Sequence, residues 1–154
     1  MCAKVVAVVG RSGSGKTTLI EAVLPLLGLR VATIKHTHHP LDPDRPGSDS
    51  HRHRQAGAHK TALSGPGFCG LWLPDELDPL QLVELLSPGV DLVLLEGYKS
   101  GPFARLEVVR DQPPLLPESQ VWLTASLHPL GRANELPLDR PDLIAAALSQ
   151  RIQA

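Results

Sequence analysis

The sequence predicts an α/β fold with a mostly parallel central sheet and a β-hairpin extension. Three features lead to this prediction: an unbroken apolar segment at residues 5–9, a glycine-rich segment that opens an amphipathic one, and a second apolar segment at 31–35. Strands without polar alternation are typical of sheets covered on both faces. Strand, helix and strand at this spacing predict a βαβ unit with a right-handed crossover.

The remaining elements follow in chain order. Apolar side chains at helical spacing predict a helix from Lys16 to Leu27, and Pro25 is expected to kink or end its last turn. Further strands are predicted at 91–95, 106–110 and 121–125, and helices at 49–57, 76–86 and 141–152. The Gly65-Pro66-Gly67 segment between 61–64 and 68–73 predicts a hairpin.

Composition is that of one globular domain spanning residues 1–154, with 42% hydrophobic and 20% charged residues. The net charge of −1 and the 3% aromatic content argue against nucleic-acid binding. Two cysteines, Cys2 and Cys69, form neither a disulfide framework nor a Cys-based zinc motif. With no secretory signal and no membrane-length apolar segment, we expect a soluble, cytoplasmic protein without membrane contact.

The segment 10–17, GRSGSGKT, fits the phosphate-binding loop pattern G-x-x-x-x-G-K-[ST]. It follows a buried strand and opens a helix, so backbone N–H groups and the helix dipole favour an anion there. Lys16 can reach the β- and γ-phosphates, and the Thr17 hydroxyl can ligate Mg²⁺. The alternative is a glycine-rich turn before an ordinary lysine. The candidate phosphate contacts are Gly10, Ser12, Gly13, Ser14, Gly15, Lys16, Thr17 and Thr18.

Phosphoryl chemistry also needs an acid near the metal, and Glu96 ends the apolar segment 92–95. Ligands of open α/β sheets lie at the carboxyl ends of strands, so Glu96 is the candidate for the metal and hydrolysis role, with Lys16 as the second catalytic residue. The alternative is a carboxylate that caps the next turn. Asp91 begins the same strand and therefore lies at the wrong end.

Lys35 and His36 open the string KHTHH, which follows the second predicted strand and is expected to face the same crevice. We interpret both as nucleotide contacts. Whether His36, His38 and His39 bind a transition metal, contact an anion or lie in a solvated loop stays open.

Asp49 begins the short helix predicted at 49–57, where it either ligates Mg²⁺ or, like Ser48, caps the helix. Arg52 and Arg54 follow on this helix. Residues two apart do not share a helix face, so one of them can meet an anion while the other is solvated.

Taken together, these motifs resemble protein B of molybdopterin-guanine dinucleotide biosynthesis. The resemblance runs over about residues 4–126. It is carried by the segments 10–18, IKHTHH at 34–39, Asp42, Pro46-Gly47, Asp49-Ser50, QAGA at 55–58 and 92–99 with its EGYK. It implies a three-layer P-loop NTPase fold related to the signal-recognition and metal-insertion GTPases.

The resemblance also implies a function: GTP binding with Mg²⁺ and weak GTPase activity, in an accessory role in molybdenum cofactor biosynthesis. The partners it implies are a second copy of the chain, a molybdenum cofactor guanylyltransferase and molybdopterin. Phosphate contacts carry over to Gly13, Gly15, Lys16 and Thr17, and the metal and hydrolysis role to Glu96, with Asp49 as a second candidate.

One departure concerns the base. Family members often carry an Asp after the strand that ends at residues 124–126, where its carboxylate accepts hydrogen bonds from the guanine N1 and N2 hydrogens; here the residue is Leu127. There is also no N-K-x-D segment.

Three other functions compete with a GTP-binding accessory role: a small-molecule or nucleoside kinase on the same core, a metallochaperone that uses the histidines, and a scaffold that binds nucleotide without turnover.

Overall fold

The computed structural model describes residues 3–37 and 41–153. The chain forms two compact units, Met1–Thr37 with Pro79–Ala154 and His38–Asp78. Among the described residues, no helix combines the length and the apolar character needed to cross a bilayer.

The described elements are numbered here in chain order. The strands are β1 (Lys4–Val9), β2 (Val31–Lys35), β3 (Thr61–Gly65), β4 (Phe68–Trp72), β5 (Leu92–Glu96), β6 (Ala104–Val109), β7 (Leu123–Ser126) and β8 (Glu135–Pro137). The helices are α1 (Lys16–Val23), α2 (Asp49–Gln55), α3 (Pro79–Leu86) and α4 (Pro141–Gln153).

The larger unit is built on a parallel sheet with the order β2-β5-β1-β6-β7-β8. Val6 and Val8 of β1 pack on one face with side chains of α1 and α4. Ala7 and Val9 pack on the other face, which α3 covers in part. Successive strand residues point to opposite faces, so a strand buried on both sides shows no polar alternation. The predicted three-layer α/β architecture is confirmed.

Prolines determine where two of the helices begin or end. As expected of Pro25, helix α1 ends at Val23 and continues only as a 3-10 turn over Leu24–Leu26, because Pro25 has no N–H to extend the α-helical ladder. Helix α3 begins at Pro79 rather than at residue 76. The proline ring disfavours helical geometry for the residue before it, and proline itself fits the first helical position.

The smaller unit contains α2 and the predicted hairpin, whose strands β3 and β4 pair antiparallel. Ser48 is the residue that caps α2, since its side chain accepts a hydrogen bond from the His51 N–H. The Asp44 side chain, which is 5% exposed, accepts hydrogen bonds from the hydroxyls of Ser48 and Ser50. Arg54 also donates to Asp44, so this carboxylate holds the helix and the preceding loop together.

Candidate functional site

The glycine-rich loop lies between β1 and α1, at the carboxyl end of the sheet. Gly10 has a φ of +152°, and a Cβ there would lie 2.5 Å from the Val108 carbonyl oxygen and 2.6 Å from Ser14 Oγ. No side chain fits in this space, so the loop packs directly on β6. Gly15 precedes α1, whose first turn carries no acidic residue that would oppose a bound anion.

Lys16 folds back over the loop. Its Nζ donates to the carbonyl oxygens of Arg11 at 2.8 Å and Gly10 at 3.3 Å. The side chain is therefore half-buried rather than extended into solvent. Burial lowers the pKa of Lys16, and the nearby Lys99 and Lys35 lower it further, whereas Glu96 opposes the shift. The ammonium thus lies where the loop curls, close to two other cations that also attract anions.

Strand register brings Lys35 and Glu96 together. Glu96 is paired with Val8 of β1 on one side and with Lys35 of β2 on the other. Its side chain is 13% exposed, and Oε1 accepts a hydrogen bond of 2.7 Å from the Thr17 hydroxyl. Lys35 Nζ lies 3.4 Å from both Glu96 Oε1 and Thr17 Oγ1. A cation thus already contacts the two oxygen groups proposed as Mg²⁺ ligands.

The rings of His36 and Tyr98 lie beside the cluster formed by Thr17, Lys35 and Glu96. The His36 N–H donates to the Glu96 carbonyl oxygen, and the two rings lie 5.1 Å apart between centroids. Gly97 separates Glu96 from Tyr98 and donates its N–H to the Val8 carbonyl oxygen. The ends of β1, β2 and β5 are thus joined into one rim, which places His36 next to Glu96.

The other predicted residues differ in their settings. Ser12, Gly13 and Thr18 are exposed on the loop, whereas Ser14 is buried and its hydroxyl has no hydrogen-bond partner among the described residues. Asp49 begins α2 in the smaller unit, where its exposed carboxylate lies 3.5 Å from Arg52. Its assignment as a metal ligand stays a prediction.

The histidine cluster is only partly described. His36 is half-buried at the end of β2, whereas His38 and His39 lie outside the described residues. Within the described ranges, no three His, Cys, Asp or Glu side chains are grouped closely enough to hold a metal ion. The metallochaperone hypothesis therefore stays a prediction.

A buried ion pair next to the loop was not predicted. Glu107 of β6 is fully buried and lies 2.7 Å from Arg132, which also donates to the Thr124 hydroxyl and the Leu116 carbonyl oxygen. Glu107 in turn accepts from the N–H groups of Leu115 and Leu116. The proline-rich segment after β6 is thereby fastened to the sheet. An acidic residue inside an apolar strand is the one sequence feature that could have revealed the pair.

Comparison with known proteins places these features in context. The model of the family described as "Molybdopterin guanine dinucleotide synthesis protein B" matches residues 5–126. The molybdopterin-guanine dinucleotide biosynthesis adapter protein of Escherichia coli is 38% identical over 137 residues, which are 83% of this chain and 76% of that protein. The adapter protein of Haemophilus influenzae is 37% identical over 68% of this chain and 62% of its own length.

Solved structures agree with the sequence comparison. The crystal structure of Bacillus subtilis MobB aligns with a TM-score of 0.73 at 27% identity, covering 96% of this chain and 97% of the other. A MobB homologue from Bacillus stearothermophilus aligns with a TM-score of 0.67, also at 27% identity, covering 97% of each chain.

Proposed function

The chain belongs to the molybdopterin guanine dinucleotide synthesis protein B family, and from this membership we propose that it is a GTP-binding adapter with weak GTPase activity in molybdenum cofactor biosynthesis. The observation that carries the proposal is the 2.7 Å contact between Thr17 Oγ1 and Glu96 Oε1, beside the Lys16 ammonium. It brings a hydroxyl, a carboxylate and a cation together at the mouth of a glycine-rich loop, as phosphoryl chemistry requires.

The loop supplies the triphosphate site. Backbone N–H groups at Gly13 and Gly15 and the α1 terminus are donors for phosphate oxygens. Lys16 now donates to two neutral carbonyl oxygens, and a phosphate oxygen is a stronger acceptor because it is charged. Lys35 and His36 lie at the adjacent rim and add positive charge or hydrogen-bond donors toward the same anion.

The residues present fit Mg²⁺. Hydroxyl and carboxylate oxygens are hard ligands, and Mg²⁺ commonly takes only one or two protein ligands beside water and phosphate. Thr17 and Glu96 would hold it, and the Lys35 ammonium, 3.4 Å from both oxygens, supports a cation site there. When bound, the ion would neutralise charge that develops on the phosphates. Asp49, which lies in the smaller unit, is also proposed as a Mg²⁺ ligand.

The contacts that hold Glu96 support weak rather than fast hydrolysis. The carboxylate that could orient a water already accepts from Thr17 and pairs with Lys35, so its capacity to act on a water is reduced. We therefore assign Glu96 to slow turnover rather than to fast catalysis. Glu96→Gln keeps an acceptor oxygen but loses the charge, and it is expected to slow hydrolysis with a smaller effect on nucleotide affinity.

The preference for guanine as the base of the bound nucleotide is the second part of the proposal. Leu127 follows β7, is 39% exposed, and donates its N–H to the Val109 carbonyl oxygen. No carboxylate at this position can accept from guanine, so a preference for GTP rests on family membership.

The adapter role calls for partners, namely a guanylyltransferase, molybdopterin and a second copy of the chain, in the cytoplasm. The hairpin supports the second copy. Leu63, Phe68 and Leu71 on its two strands are 43–55% exposed, and paired strands with apolar side chains readily extend into a neighbouring sheet.

Titration calorimetry with GTP and with ATP, each with Mg²⁺, tests the proposal. GTP is expected to bind more tightly, and Lys16→Ala should weaken GTP binding at least about 100-fold, because a charged hydrogen bond contributes about 1.5–3 kcal/mol and Lys16 can make two. Lys4→Ala is the matched control, since Lys4 is an exposed lysine at the opposite end of β1. Unchanged affinity in Lys16→Ala would refute the site, and equal affinity for ATP would refute the base preference.

A further inference from the structure

Lys35 and Glu96 are neighbours across the pairing of β2 with β5, at the carboxyl end of both strands. Residues paired between adjacent strands point to the same face of a sheet, so the two side chains meet. Their settings differ, because the Lys35 side chain is 61% exposed whereas the Glu96 side chain is 13% exposed. The carboxylate is therefore the fixed member of the pair, and the ammonium on its flexible four-carbon stem is the movable one.

The Lys35 ammonium is shared between two oxygen atoms from different elements. Its Nζ lies 3.4 Å from Glu96 Oε1 and 3.4 Å from Thr17 Oγ1, in the first turn of α1. Hydrogen bonds between an ammonium and a carboxylate are normally about 2.7–2.9 Å long. Both contacts are longer than such a strong ionic hydrogen bond, so a group with a stronger attraction for the ammonium can replace them.

A divalent ion held by the same two oxygens competes with this ammonium. Mg²⁺ requires its ligand oxygens at about 2.0–2.1 Å in near-octahedral geometry, so an ammonium placed against those oxygens obstructs it. The positive charges of the ammonium and the ion also repel each other at short range. Lys35 and Mg²⁺ are therefore competitors for the pair formed by Thr17 and Glu96.

A bound phosphate would end this competition. Thr17 directly follows Lys16 in the phosphate-binding loop pattern, so its hydroxyl lies beside the proposed phosphate site. Phosphate oxygens are charged acceptors that attract ammonium groups strongly. Because the Lys35 ammonium already contacts Thr17, a triphosphate in the loop would give it a second partner and would free Thr17 and Glu96 for the ion.

The charge balance at the site supports this exchange. Lys35 neutralises Glu96, a largely buried carboxylate that is costly to leave without a counter-charge. Lys16 donates instead to the carbonyl oxygens of Gly10 and Arg11, so the direct ionic contact with Glu96 is made by Lys35. A bound ion would itself supply the counter-charge, and the Lys35 ammonium would become available to the phosphates.

We propose that Lys35 couples metal binding to phosphate binding: its ammonium occupies the Thr17–Glu96 pair and opposes divalent ions until a phosphate draws it away. The inference rests on the proposed function, since it places a triphosphate at the glycine-rich loop. It makes Mg²⁺ affinity depend on the nucleotide, and by thermodynamic linkage the nucleotide affinity depends on Mg²⁺ to the same degree. Lys35 is thus a positioning residue for the metal rather than one of its ligands.

The test measures binding of Mn²⁺ to the nucleotide-free full chain, followed by the electron paramagnetic resonance signal of the free ion. Lys35→Met removes the charge and keeps a long, unbranched side chain, and thermal melts check that this exposed substitution leaves the fold intact. Lys35→Arg retains a positive charge. Lys4→Met is the matched control, because Lys4 is another exposed lysine of a parallel strand but lies at the opposite end of the sheet. Calorimetry then compares GTP affinity in EDTA with GTP affinity in saturating Mg²⁺.

We expect Lys35→Met to bind Mn²⁺ roughly 3- to 10-fold more tightly, because the competing cation is gone. The gain in GTP affinity between EDTA and saturating Mg²⁺ should fall by the same factor. Lys35→Arg should return both values toward those of the unchanged chain, and Lys4→Met should not alter them. Adding Glu96→Gln to Lys35→Met should abolish the tighter Mn²⁺ binding, since the ion then lacks its carboxylate.

Unchanged Mn²⁺ affinity in Lys35→Met would overturn the proposal. So would an equal rise in Lys35→Arg or Lys4→Met, or a rise that survives Glu96→Gln. The Mn²⁺ titration uses no nucleotide, so the two proposals fail separately. Normal GTP binding with unchanged Mn²⁺ affinity defeats the role of Lys35 alone, whereas tighter Mn²⁺ binding in a chain that does not bind GTP defeats the proposed function and leaves Lys35 as the competitor of the ion.

Discussion

Replacing Gly10 by alanine tests how tightly the phosphate loop is built. The new Cβ would meet the Val108 carbonyl oxygen at 2.5 Å and Ser14 Oγ at 2.6 Å. Ser14 can rotate its hydroxyl away, but the carbonyl belongs to the backbone of β6 and cannot. We expect positive φ to cost about 1–2 kcal/mol and the forced shift a further 1–3 kcal/mol.

Gly28→Ala is the matched control, because Gly28 also has positive φ, at +60°, but a Cβ there has nothing within 4 Å. The difference between the variants reports the clash together with the φ of Gly10, which at +152° is further from the left-handed helical region than the +60° of Gly28. An excess of about 2 kcal/mol lowers the Tm of Gly10→Ala by roughly 4–8 °C relative to Gly28→Ala. Equal Tm values in calorimetry would refute the packing argument.

The clash should also disturb the position of Lys16 in the phosphate-binding loop, since the Gly10 carbonyl oxygen accepts a hydrogen bond from Lys16 Nζ. Small misplacements of binding groups are costly. We therefore expect Gly10→Ala to weaken GTP binding more than Gly28→Ala does, measured at a temperature where both variants are folded. Full affinity in Gly10→Ala would show that the loop adjusts without moving the ammonium.

Three further predictions concern the buried ion pair, acid stability and the hairpin. Glu107→Gln should lower the free energy of unfolding by about 3–5 kcal/mol in urea, because it leaves the Arg132 charge buried without its partner, whereas the exposed Asp111→Asn should change it by less than about 0.5 kcal/mol. Burial opposes ionisation of Glu135, but hydrogen bonds from the Ser126 hydroxyl and loop N–H groups outweigh it and hold the pKa below its ordinary value of 4.5. Its stabilisation is therefore present above pH 4.5 and lost as pH falls through the lower folded-state pKa, and melting curves of Glu135→Gln should lack this part of the acid dependence. The proposed contact between copies predicts that Leu71→Asp on the hairpin shifts the molar mass in light scattering from dimer to monomer; an unchanged mass would contradict the hairpin as that contact.

The parts of the fold that the sequence predicts well are those set by local chemistry. Strand β2 matches its predicted bounds, because its apolar residues are followed directly by the polar segment from Lys35. The hairpin forms at its Gly-Pro-Gly segment for the same local reason. Strand β8 was not predicted: it has three residues, and Pro137 offers no N–H to a ladder, so it forms only because β7 provides a partner edge.

The residues of the candidate site likewise divide into those that local sequence predicts and those that depend on distant contacts. Lys16 and Thr17 follow from a local pattern, and Glu96 from its position after a buried strand. The Glu107–Arg132 pair joins residues 25 apart, one of them in a loop, and no periodicity predicts which cation reaches a buried acid. The half-buried state of Lys16 likewise depends on carbonyl oxygens that face inward only once the loop has closed on β6.

Strand register links the fold to the proposed chemistry. The pairing of Glu96 with both Val8 and Lys35 places the carboxylate beside the loop that follows β1 and the ammonium that ends β2. A slip of one residue in either pairing would turn the Glu96 side chain to the other face of the sheet relative to its neighbours. Leu92–Leu95 are all apolar and fully buried, so the charged residues at the two ends of this segment oppose such a slip, because it would carry Asp91 or Glu96 into a fully buried position. The charged ends of the β5 segment are therefore as much a requirement for the Thr17–Glu96 contact as the two contacting residues themselves.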